Sequence, residues 1–330
     1  MSKTQNNICM VCNKSLNNKT NQYHSSCRKS LFGQDKVPEI PYTYSELNEL
    51  AKKIIKSQVT VPGVQAKLSL QLDNSLKESE RFTIVGLWGN YILKPPIDAY
   101  PYMPEIENLT MNLAKIFKID CVPQGLIFLK SGELSYITRR IDRLPDGQKL
   151  HMEDMCQLSG RLTEDKYKGS MEKIGKMINQ FSSNPLLDCI RFLEVTIFSF
   201  LIGNADMHLK NFSLIYPING MVNFSPAYDL LSTRLIISEK EDPEEMALTL
   251  NGKKRKIKLV DLVKFSENLG LNKKQFDNTL KRFSKLIPKI SNLLEKNFLP
   301  VEKQEEFKEL ISKRAERLGL SKPLNLSQCR

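Results

Sequence analysis

The segment that decides the fold runs from Leu201 to Ser213, LIGNADMHLKNFS, and continues in Asn223 to Thr233, NFSPAYDLLST. The residues that link the two parts form two apolar runs separated by an Asn-Gly dipeptide, and this pattern predicts a β-hairpin. A hairpin returns its second strand beside the start of its first. We therefore expect Asn211, just before the hairpin, and Asp229, just after it, to lie close together.

The same stretch supplies three oxygen-bearing side chains, those of Asp206, Asn211 and Asp229. Phosphoryl transfer from a nucleotide needs a carboxylate to orient the attacking hydroxyl, and an amide oxygen and a second carboxylate to hold Mg²⁺ against the phosphates. Protein kinases place four residues between their catalytic-loop Asp and Asn, and Asp206 and Asn211 have that spacing. The alternative is that Asp206, His208 and Lys210 belong to a solvated loop and that Asp229 is a turn residue.

The composition is that of a globular protein, because 41% of the 330 residues are hydrophobic and the chain is long enough for two lobes. The most apolar run, residues 192–203, is too short to span a bilayer and is predicted to be a buried helix. A formal charge of +12 favours polyanionic partners such as ATP, tRNA, DNA or an acidic protein face. The N-terminus has no apolar signal core, so we expect a cytoplasmic protein. Secretion by a route that needs no signal peptide is left open.

Three of the seven cysteines lie near the start of the chain. Cys9, Cys12, His24 and Cys27 form C-x2-C followed by H-x2-C, and such intervals suit tetrahedral Zn²⁺. The segment has little hydrophobic content, so a metal ion would stabilise it, and four protein ligands would make that zinc structural. The alternative is a set of reduced thiols with His24 at the surface, since a chain without a signal peptide is not expected to form a disulfide framework.

The next part of the chain predicts a small antiparallel sheet. After a linker at about residues 36–41, Thr43 and Glu46 form a capping box for a helix that ends near Lys56. The turn at Pro62-Gly63 can present backbone N–H groups to phosphate oxygens, with Lys67 nearby, or it can be a plain β-turn. Apolar runs then predict strands at residues 68–72, 81–85, 91–94, 126–130 and 134–141, and a helix at residues 105–117.

An antiparallel sheet interrupted by one helix is the outline of a kinase N-lobe. In that setting Lys94 would reach the nucleotide phosphates and Glu107 would position the lysine. Outside that setting, Lys94 is a strand-end lysine and Glu107 is an acid favoured by the helix dipole.

The second half of the sequence is mainly helical. A helix predicted at residues 186–202 has apolar residues on most faces, so we expect it to be the buried helix that holds the Asp206 loop. The basic run Lys253 to Lys258 predicts a solvated loop or edge strand, or else a nucleic-acid contact. The predicted fold is α+β and two-lobed, like a protein kinase: a zinc-knuckle-like segment (1–40), an antiparallel-sheet N-lobe (41–143) and a mostly helical C-lobe (144–330).

Taken together, these motifs resemble the HipA-like serine/threonine kinases of bacterial toxin–antitoxin systems. The segments that carry the resemblance lie between Val61 and Thr233, and in chain order they are VPGVQAKLSL, YILKPP, EIENLTMNLAK, ITRRIDR, LHMEDMCQLSGR, GNADMHLKNFSL and SPAYDLLST. The opening CMVC and YHSSCRKSLFG are similar to the N-terminal module of the short HipT branch of this family. In that branch a separate small protein supplies the first subdomain, which we expect to be missing from this chain.

The resemblance implies a role for each matching residue. Asp206 would be the catalytic base, Asn211 and Asp229 the Mg²⁺ ligands, and Lys94 the phosphate-binding lysine. The further ATP-binding candidates are Val61, Gly63, Val64, Gln65, Lys67, Arg139, Ile141 and His208, with the adenine against the backbone of residues 138–141.

Two departures from the family pattern concern regulation and adenine recognition. Family members are controlled by autophosphorylation of a serine in the Gly-rich loop, where this chain has Thr60 with Ser57 close by, so both are candidates. The family usually has Glu where this chain has Arg139, so the contacts to adenine are expected to differ in detail.

The function that the resemblance implies is an ATP- and Mg²⁺-dependent serine/threonine kinase acting as a toxin. Its substrate would be a translation component such as an aminoacyl-tRNA synthetase, and its partners a HipS-like small subunit and a HipB-like DNA-binding antitoxin. DNA would be contacted only indirectly, and a membrane not at all. The basic charge motivates an alternative, a catalytically silent corepressor that binds DNA with an antitoxin. The order Gly, Asp, His, Asn in GNADMHLKN is also similar to phosphoinositide-type kinases, so a lipid or small-molecule kinase is a third possibility.

Overall fold

A computed structural model of the chain describes residues 7–18, 21–57, 66–73, 80–86, 88–144 and 147–320, with the backbone alone for residues 51–57. The chain divides into two compact units. The N-terminal unit consists of Met1–Asn112, Val122–Gly147 and Lys296–Leu299, and the C-terminal unit consists of Leu113–Cys121, Gln148–Glu295 and Pro300–Arg330.

The N-terminal unit is built around a five-stranded antiparallel sheet with strand order β2-β1-β3-β5-β4. The strands are β1 (Leu68–Asp73), β2 (Arg81–Ile84), β3 (Tyr91–Lys94), β4 (Gln124–Phe128) and β5 (Leu134–Arg139). Leu68 and Leu70 of β1 are buried and alternate with half-buried polar residues, as period-2 patterning requires. Helices α1 (Ser25–Phe32), α2 (Tyr44–Ser57) and α3 (Met103–Ile116) complete the secondary structure of the described residues up to Ile116.

The first forty residues contribute to the core of this unit. Buried side chains from residues 9–40 lie in the same hydrophobic cluster as those of the sheet. The segment predicted to be a linker also packs, because Glu39 forms a parallel bridge with Arg81 and Ile40 is buried. The linker prediction was therefore wrong. Strand β2 is at the edge of the sheet, and its free hydrogen-bonding groups bind the backbone of Glu39. The Phe82 amide donates to the Glu39 carbonyl at 2.9 Å.

The C-terminal unit is mainly helical. Its helices are α4 (Met155–Leu158), α5 (Met171–Phe181), α6 (Pro185–Leu201), α7 (Leu259–Asn268), α8 (Lys273–Leu286), α9 (Ser291–Glu295) and α10 (Val301–Arg317). From Phe192 to Leu201 every residue of α6 is buried, which makes it the central helix of this unit. No helix in the described ranges has the length and apolar character needed to cross a membrane.

A three-stranded antiparallel sheet lies in the same unit, with strand order β6-β7-β8. Its strands are β6 (His151–Asp154), β7 (Ser213–Tyr216) and β8 (Asn223–Phe224). The hairpin predicted after Asn211 is formed by β7 and β8, with Leu214 opposite Phe224. Strand β6, which the sequence pattern did not predict, pairs with β7 so that Asp154 lies opposite Ser213.

Candidate active site

The loop singled out by the sequence begins where α6 ends. Gly203 has a left-handed backbone, with φ of 73°. The amides of Gly203 and Asn204 donate to carbonyls of the last helical turn at 3.2 and 2.9 Å, which is a Schellman motif. A Cβ on Gly203 would lie 2.7 Å from Leu310 Cδ2 and 2.8 Å from Arg234 Cβ. The close approach and the positive φ both require glycine here, so the helix end fixes where the loop starts.

Residues 204–211, which we call the Asp206 loop, are held by their own side chains. The Asp206 amide donates to Asn204 Oδ1 at 3.1 Å, and Asn211 Nδ2 donates to the Asp206 carbonyl at 3.0 Å. Since Nδ2 is used in this bond, Oδ1 is the Asn211 atom that could coordinate a cation. Asn211 is buried, whereas Asp206 is exposed. The geometry thus fixes the amide and leaves the carboxylate accessible.

Tyr167 is a neighbour of Asp206 that the sequence did not reveal. Its hydroxyl donates to Asp206 Oδ1 at 2.8 Å. Burial raises the pKa of Tyr167, and so do the charge of Asp206 and the hydrogen bond to it. The phenol therefore remains a donor at every physiological pH and occupies one of the two oxygens of the carboxylate.

Tyr228 joins the Asp229 segment to the Asp206 loop. The Tyr228 hydroxyl donates to the Lys210 carbonyl at 3.0 Å and lies 2.5 Å from Ser213 Oγ. Asp229 follows directly and is half-buried, with a left-handed backbone at φ of 58°. Left-handed geometry is uncommon for a residue with a Cβ, although aspartate adopts it more readily than most.

Thr233 makes a second connection on the other side of Asp229. Its Oγ1 donates to the Gly203 carbonyl at 3.1 Å and accepts from the Ala205 amide at 2.9 Å. Asp229 thus lies in a short segment that is bonded to both ends of the Asp206 loop. These contacts join the Asp229 segment to the loop that ends at Asn211, and the closeness of the Asn211 and Asp229 side chains stays a prediction.

The remaining charged side chains of the loop lie against neighbouring elements. Lys210 Nζ lies 2.7 Å from Asp154 Oδ2, which connects the loop to β6. His208 is buried, and its ring packs edge-on against Tyr167 with 5.2 Å between ring centroids. His208 is therefore not part of a solvated loop, whereas Lys210 is half-buried and held by its ion pair with Asp154.

In the N-terminal unit, Lys94 and Glu107 form a buried ion pair. Lys94 Nζ on β3 lies 2.6 Å from Glu107 Oε1 on α3, with side-chain exposures of 5% and 2%. Lys94 Nζ also lies 5.3 Å from the centroid of the Tyr136 ring on β5. Glu105, two residues earlier on α3, has a different environment: burial raises its pKa to about 7. The alternative of an independent strand-end lysine and helix acid does not describe this pair. Each buried charge lowers the energetic cost of burying the other.

The other ATP-binding candidates have varied positions. Lys67 is exposed just before β1, Arg139 is the half-buried last residue of β5, and Ile141 is half-buried two residues later. Val61, Gly63, Val64, Gln65 and the autophosphorylation candidate Thr60 lie outside the described residues. Ser57, the other autophosphorylation candidate, is the last residue of α2, and only its backbone is described.

The four N-terminal Cys and His side chains form a cluster of their own. The ligand atoms of Cys9, Cys12, His24 and Cys27 all lie within 4.8 Å of one another. Cys9 is fully buried and the other three are half-buried. In the N-terminal unit, Cys9 belongs to the hydrophobic core and Cys12 and Cys27 pack against it, while zinc binding by the cluster stays a prediction.

Comparison with known proteins identifies the family. The model of the HipA-like C-terminal domain matches residues 59–290, which is more than half of the chain. The chain belongs to the HipA-like C-terminal domain family. The resemblance inferred from the seven motifs is confirmed at this level, while membership of the HipT branch stays a prediction.

Two relatives of this HipA-like chain carry kinase names. A Haemophilus influenzae protein with a provisional kinase name is 32% identical over 287 residues, which are 78% of this chain and 79% of the relative. The Shewanella oneidensis serine/threonine-protein kinase toxin HipA is 27% identical over 252 residues, which are 71% of this chain and 56% of the relative. The chain thus spans little more than half of that toxin's length.

A solved structure confirms the type of fold. The complex of Shewanella oneidensis HipA, HipB and operator DNA matches with a TM-score of 0.67 and 22% sequence identity, covering 87% of this chain and 73% of that one. The mixed helix and sheet fold predicted from the sequence, with its antiparallel sheets, is confirmed by this likeness.

Several residues around the Asp206 loop were missed by sequence reasoning. Tyr167 lies in a stretch without periodicity, and Asn204, Tyr228 and Thr233 lie inside the quoted motifs but act through hydrogen bonds to backbone or loop. The motifs GNAD and YDLLST were the only sequence signal for Asn204, Tyr228 and Thr233. The spacing of residues alone does not reveal which side chain binds which carbonyl.

Proposed function

We propose that this HipA-like protein is an ATP- and Mg²⁺-dependent serine/threonine kinase. In this proposal Asp206 orients the acceptor hydroxyl, Asn211 and Asp229 hold Mg²⁺, and Lys94 binds the nucleotide phosphates. The family and the kinase-named relatives support the reaction class. The residue roles rest on the chemistry and geometry of the side chains.

One observation carries the proposal. The segment with Asp229 is bonded to the Asp206 loop on both sides, by Tyr228 before it and by Thr233 after it. A carboxylate, an amide oxygen and a second carboxylate therefore belong to one cross-linked region of the C-terminal unit. Hard oxygen ligands of this kind suit Mg²⁺, and a rigid region supports positioning better than a free loop does.

The proposed step is an in-line transfer of the γ-phosphoryl group. The acceptor oxygen forms a bond to the γ-phosphorus while the bond from that phosphorus to the β,γ-bridging oxygen breaks, and ADP leaves with the electron pair. The proton of the acceptor hydroxyl passes to Asp206. Mg²⁺, when bound, would neutralise charge that develops on the phosphate oxygens.

The exposure of Asp206 fits its proposed role, because a base that serves a protein hydroxyl must be reachable from solvent. The Tyr167 hydroxyl binds one carboxylate oxygen and leaves the other to the substrate. Asn211 is positioned by its hydrogen bond to the Asp206 carbonyl, so the base and this metal ligand are coupled through one bond.

Lys94 has the proposed task of binding phosphate in the N-terminal unit. Its partner Glu107 lies on α3, and this buried arrangement fixes the ammonium group at the end of β3. A lysine paired with a helix carboxylate is the arrangement that active protein kinases use to hold the α- and β-phosphates.

A toxin role and an antitoxin partner are the finer part of the proposal. One relative is named a serine/threonine-protein kinase toxin, and a structural neighbour is in complex with HipB and operator DNA. We therefore propose a HipB-like antitoxin as partner. From the motif resemblance alone we also propose a HipS-like small subunit as a second partner and a translation component such as an aminoacyl-tRNA synthetase as substrate. Autophosphorylation at Thr60 or Ser57 is proposed as the control.

Labelling with [γ-³²P]ATP tests the proposal and its alternatives. The full chain is incubated with Mg²⁺ and a bacterial lysate, and the labelled products are separated and identified by mass spectrometry. Label on serine or threonine of a protein band is the expected result. Label in a lipid or metabolite would support a small-molecule kinase instead. Salt-sensitive DNA binding without any ATP consumption would support the silent corepressor, which the basic segment Lys253 to Lys258 motivates.

A further inference from the structure

The Cys/His cluster of the N-terminal unit has the spacing of a metal centre. Cys12 Sγ lies 3.4 Å from His24 Nδ1, and Cys27 Sγ lies 3.8 Å from the same atom. Around tetrahedral Zn²⁺, with Zn–S of about 2.3 Å and Zn–N of about 2.0 Å, neighbouring donor atoms are about 3.5–3.8 Å apart. These two distances match a four-coordinate ion, and all four donor atoms lie within 4.8 Å of one another.

The histidine presents the correct nitrogen to the thiols. His24 Nε2 lies 3.0 Å from the Ser15 carbonyl oxygen. A carbonyl can only accept, so Nε2 carries the hydrogen in this bond. In the neutral ring, Nδ1 then has the lone pair, and it faces Cys12 and Cys27. A backbone carbonyl that fixes the tautomer in this way is the usual support of a metal-binding histidine.

The backbone of the turn between Cys9 and Cys12 also supports a metal site. Asn13, directly after Cys12, has a left-handed backbone with φ of 55°, and its amide donates to the Cys9 carbonyl at 2.9 Å. The His24 amide donates to Cys9 Sγ at 3.4 Å. Amide donors to a thiolate sulfur stabilise its negative charge. The sequence pattern predicted the four ligands, and these supporting contacts are visible only in the structure.

This turn is bonded directly to helix α3. The carbonyls of Met10 and Val11, the two residues between Cys9 and Cys12, accept from Asn108 Nδ2 at 3.2 Å and Asn112 Nδ2 at 2.7 Å. Both asparagines are buried. Their donors would be costly to leave unpaired, so the turn and the helix depend on one another.

The same turn also supports the sheet. The Met10 carbonyl accepts from the amide of Leu126 on β4 at 2.8 Å. Asn108 contacts Gln124, the first residue of β4, with 3.0 Å between Nδ2 and Oε1. Glu107, the partner of Lys94, is the residue next to Asn108. The Cys9–Cys12 turn therefore contacts both the helix that carries Glu107 and the sheet that carries Lys94.

We propose that Cys9, Cys12, His24 and Cys27 bind one structural Zn²⁺ ion, and that this ion fixes helix α3 and thereby the Lys94–Glu107 pair. Zinc binding holds the two peptide carbonyls of the turn in place, and these hold the two asparagines of α3. The metal thus acts as a positioning element for the N-terminal unit. The consequence for nucleotide binding rests on the proposed function, whereas the metal site itself does not.

Metal analysis of the full chain tests the site. We expect one zinc per chain by mass spectrometry of the metal content, and Co²⁺ substitution should give the absorption bands of a tetrahedral thiolate complex. Cys12→Ser should lose the metal, and His24→Cys should retain it because four thiolates also bind zinc. Cys121→Ser is the matched control, since Cys121 lies outside the cluster. Wild-type protein that takes up neither zinc nor cobalt would overturn the proposal.

Hydrogen exchange tests the coupling to α3. Wild-type protein is compared before and after zinc removal with a chelator, which avoids a variant that fails to fold. We expect at least ten-fold faster exchange in residues 105–112 and unchanged exchange in α10 of the C-terminal unit. Zinc that is present but leaves α3 exchange unchanged would overturn the coupling. Both measurements are made without ATP, so a failed kinase assay would bear on the proposed function alone.

Discussion

The Tyr167 hydroxyl donates a hydrogen bond to Asp206 Oδ1, with 2.8 Å between the two oxygens. The bond fixes the carboxylate proposed as the base, although the two residues are far apart in sequence. Because Asp206 is exposed, it has few other constraints on its rotamer. Tyr167 is therefore a positioning residue for the proposed reaction.

Tyr167→Phe should lower kcat about ten-fold and leave the KM for ATP unchanged. A hydrogen bond to a charged group contributes about 1.5–3 kcal/mol, and part of that would be lost from the oriented state of the base. Steady-state kinetics with a peptide or protein acceptor measures the effect. A variant with an unchanged or higher kcat would show that Tyr167 does not help to orient Asp206.

Breaking the Lys94–Glu107 pair should destabilise the N-terminal unit. Lys94→Met or Glu107→Gln alone breaks the buried ion pair and removes one of its two charges, which costs about 3–5 kcal/mol. The double variant Lys94→Met, Glu107→Leu removes both charges and should recover most of that stability. Urea denaturation measures the free energy of unfolding of all three.

The same variants separate stability from nucleotide binding. The double variant should be stable and yet bind ATP at least ten-fold more weakly, because Lys94 is the proposed phosphate ligand. Lys130→Met removes an exposed lysine of the same unit and is the control. Full ATP affinity in the stable double variant would rule out the role assigned to Lys94.

Glu105 gives the N-terminal unit a pH dependence. Burial raises its pKa to about 7. The folded state therefore holds the proton more tightly than the unfolded state, and stability falls as the pH rises from about 4.5 through 7. Glu105→Gln should have little effect at pH 4 and should stabilise by about 1–3 kcal/mol at pH 8, as partial exposure reduces the full value. Denaturation at several pH values measures the difference, and a loss of stability at pH 8 would mean that the helix dipole outweighs burial.

Tyr228 should influence metal affinity through the segment that it holds. Tyr228→Phe removes the bond to the Lys210 carbonyl and the contact with Ser213 Oγ. Asp229, the next residue, would be held less rigidly, although the bonds of Thr233 remain. We expect the Mg²⁺ concentration for half-maximal activity to rise about three- to ten-fold, which corresponds to about 0.7–1.4 kcal/mol.

The control for this prediction is Tyr216→Phe, on the first strand of the same hairpin. That hydroxyl donates to Glu153 Oε2 on β6 at 2.8 Å, so its removal leaves the bonds of Tyr228 and Thr233 to the Asp206 loop in place. Its Mg²⁺ dependence should match the wild type. Equal shifts in both variants would indicate a general loosening of the hairpin.

Much of the fold could be predicted because long periodic segments determine their own structure. The predicted helix at residues 186–202 corresponds to Pro185–Leu201, and that at residues 105–117 to Met103–Ile116. The hairpin followed from two apolar runs and an Asn-Gly turn, and it brought the Asp229 segment to the Asp206 loop. Local pattern and tertiary structure agree at these places.

The elements that were missed lack a local signal. Strand β6 has only four residues, His151–Asp154, of which three are charged or titratable, and it exists because it pairs with β7. Helix α7 (Leu259–Asn268) has Lys258 at the capping position, where a Ser, Thr, Asp or Asn would have marked the start of a helix. The Asp261 side chain accepts from the Lys258 amide at 2.9 Å in its place. Tertiary contacts decide both cases, as they do for Tyr167.

A variant of the proposed base tests the central claim most directly. Asp206→Ala removes the group that orients the acceptor hydroxyl and none of the groups proposed to bind ATP or Mg²⁺. The variant should bind MgATP within about two-fold of the wild-type Kd, while phosphoryl transfer falls by at least 10³-fold, in the range expected for loss of a general base. Phosphoryl transfer at the wild-type rate by a folded Asp206→Ala protein would contradict the account.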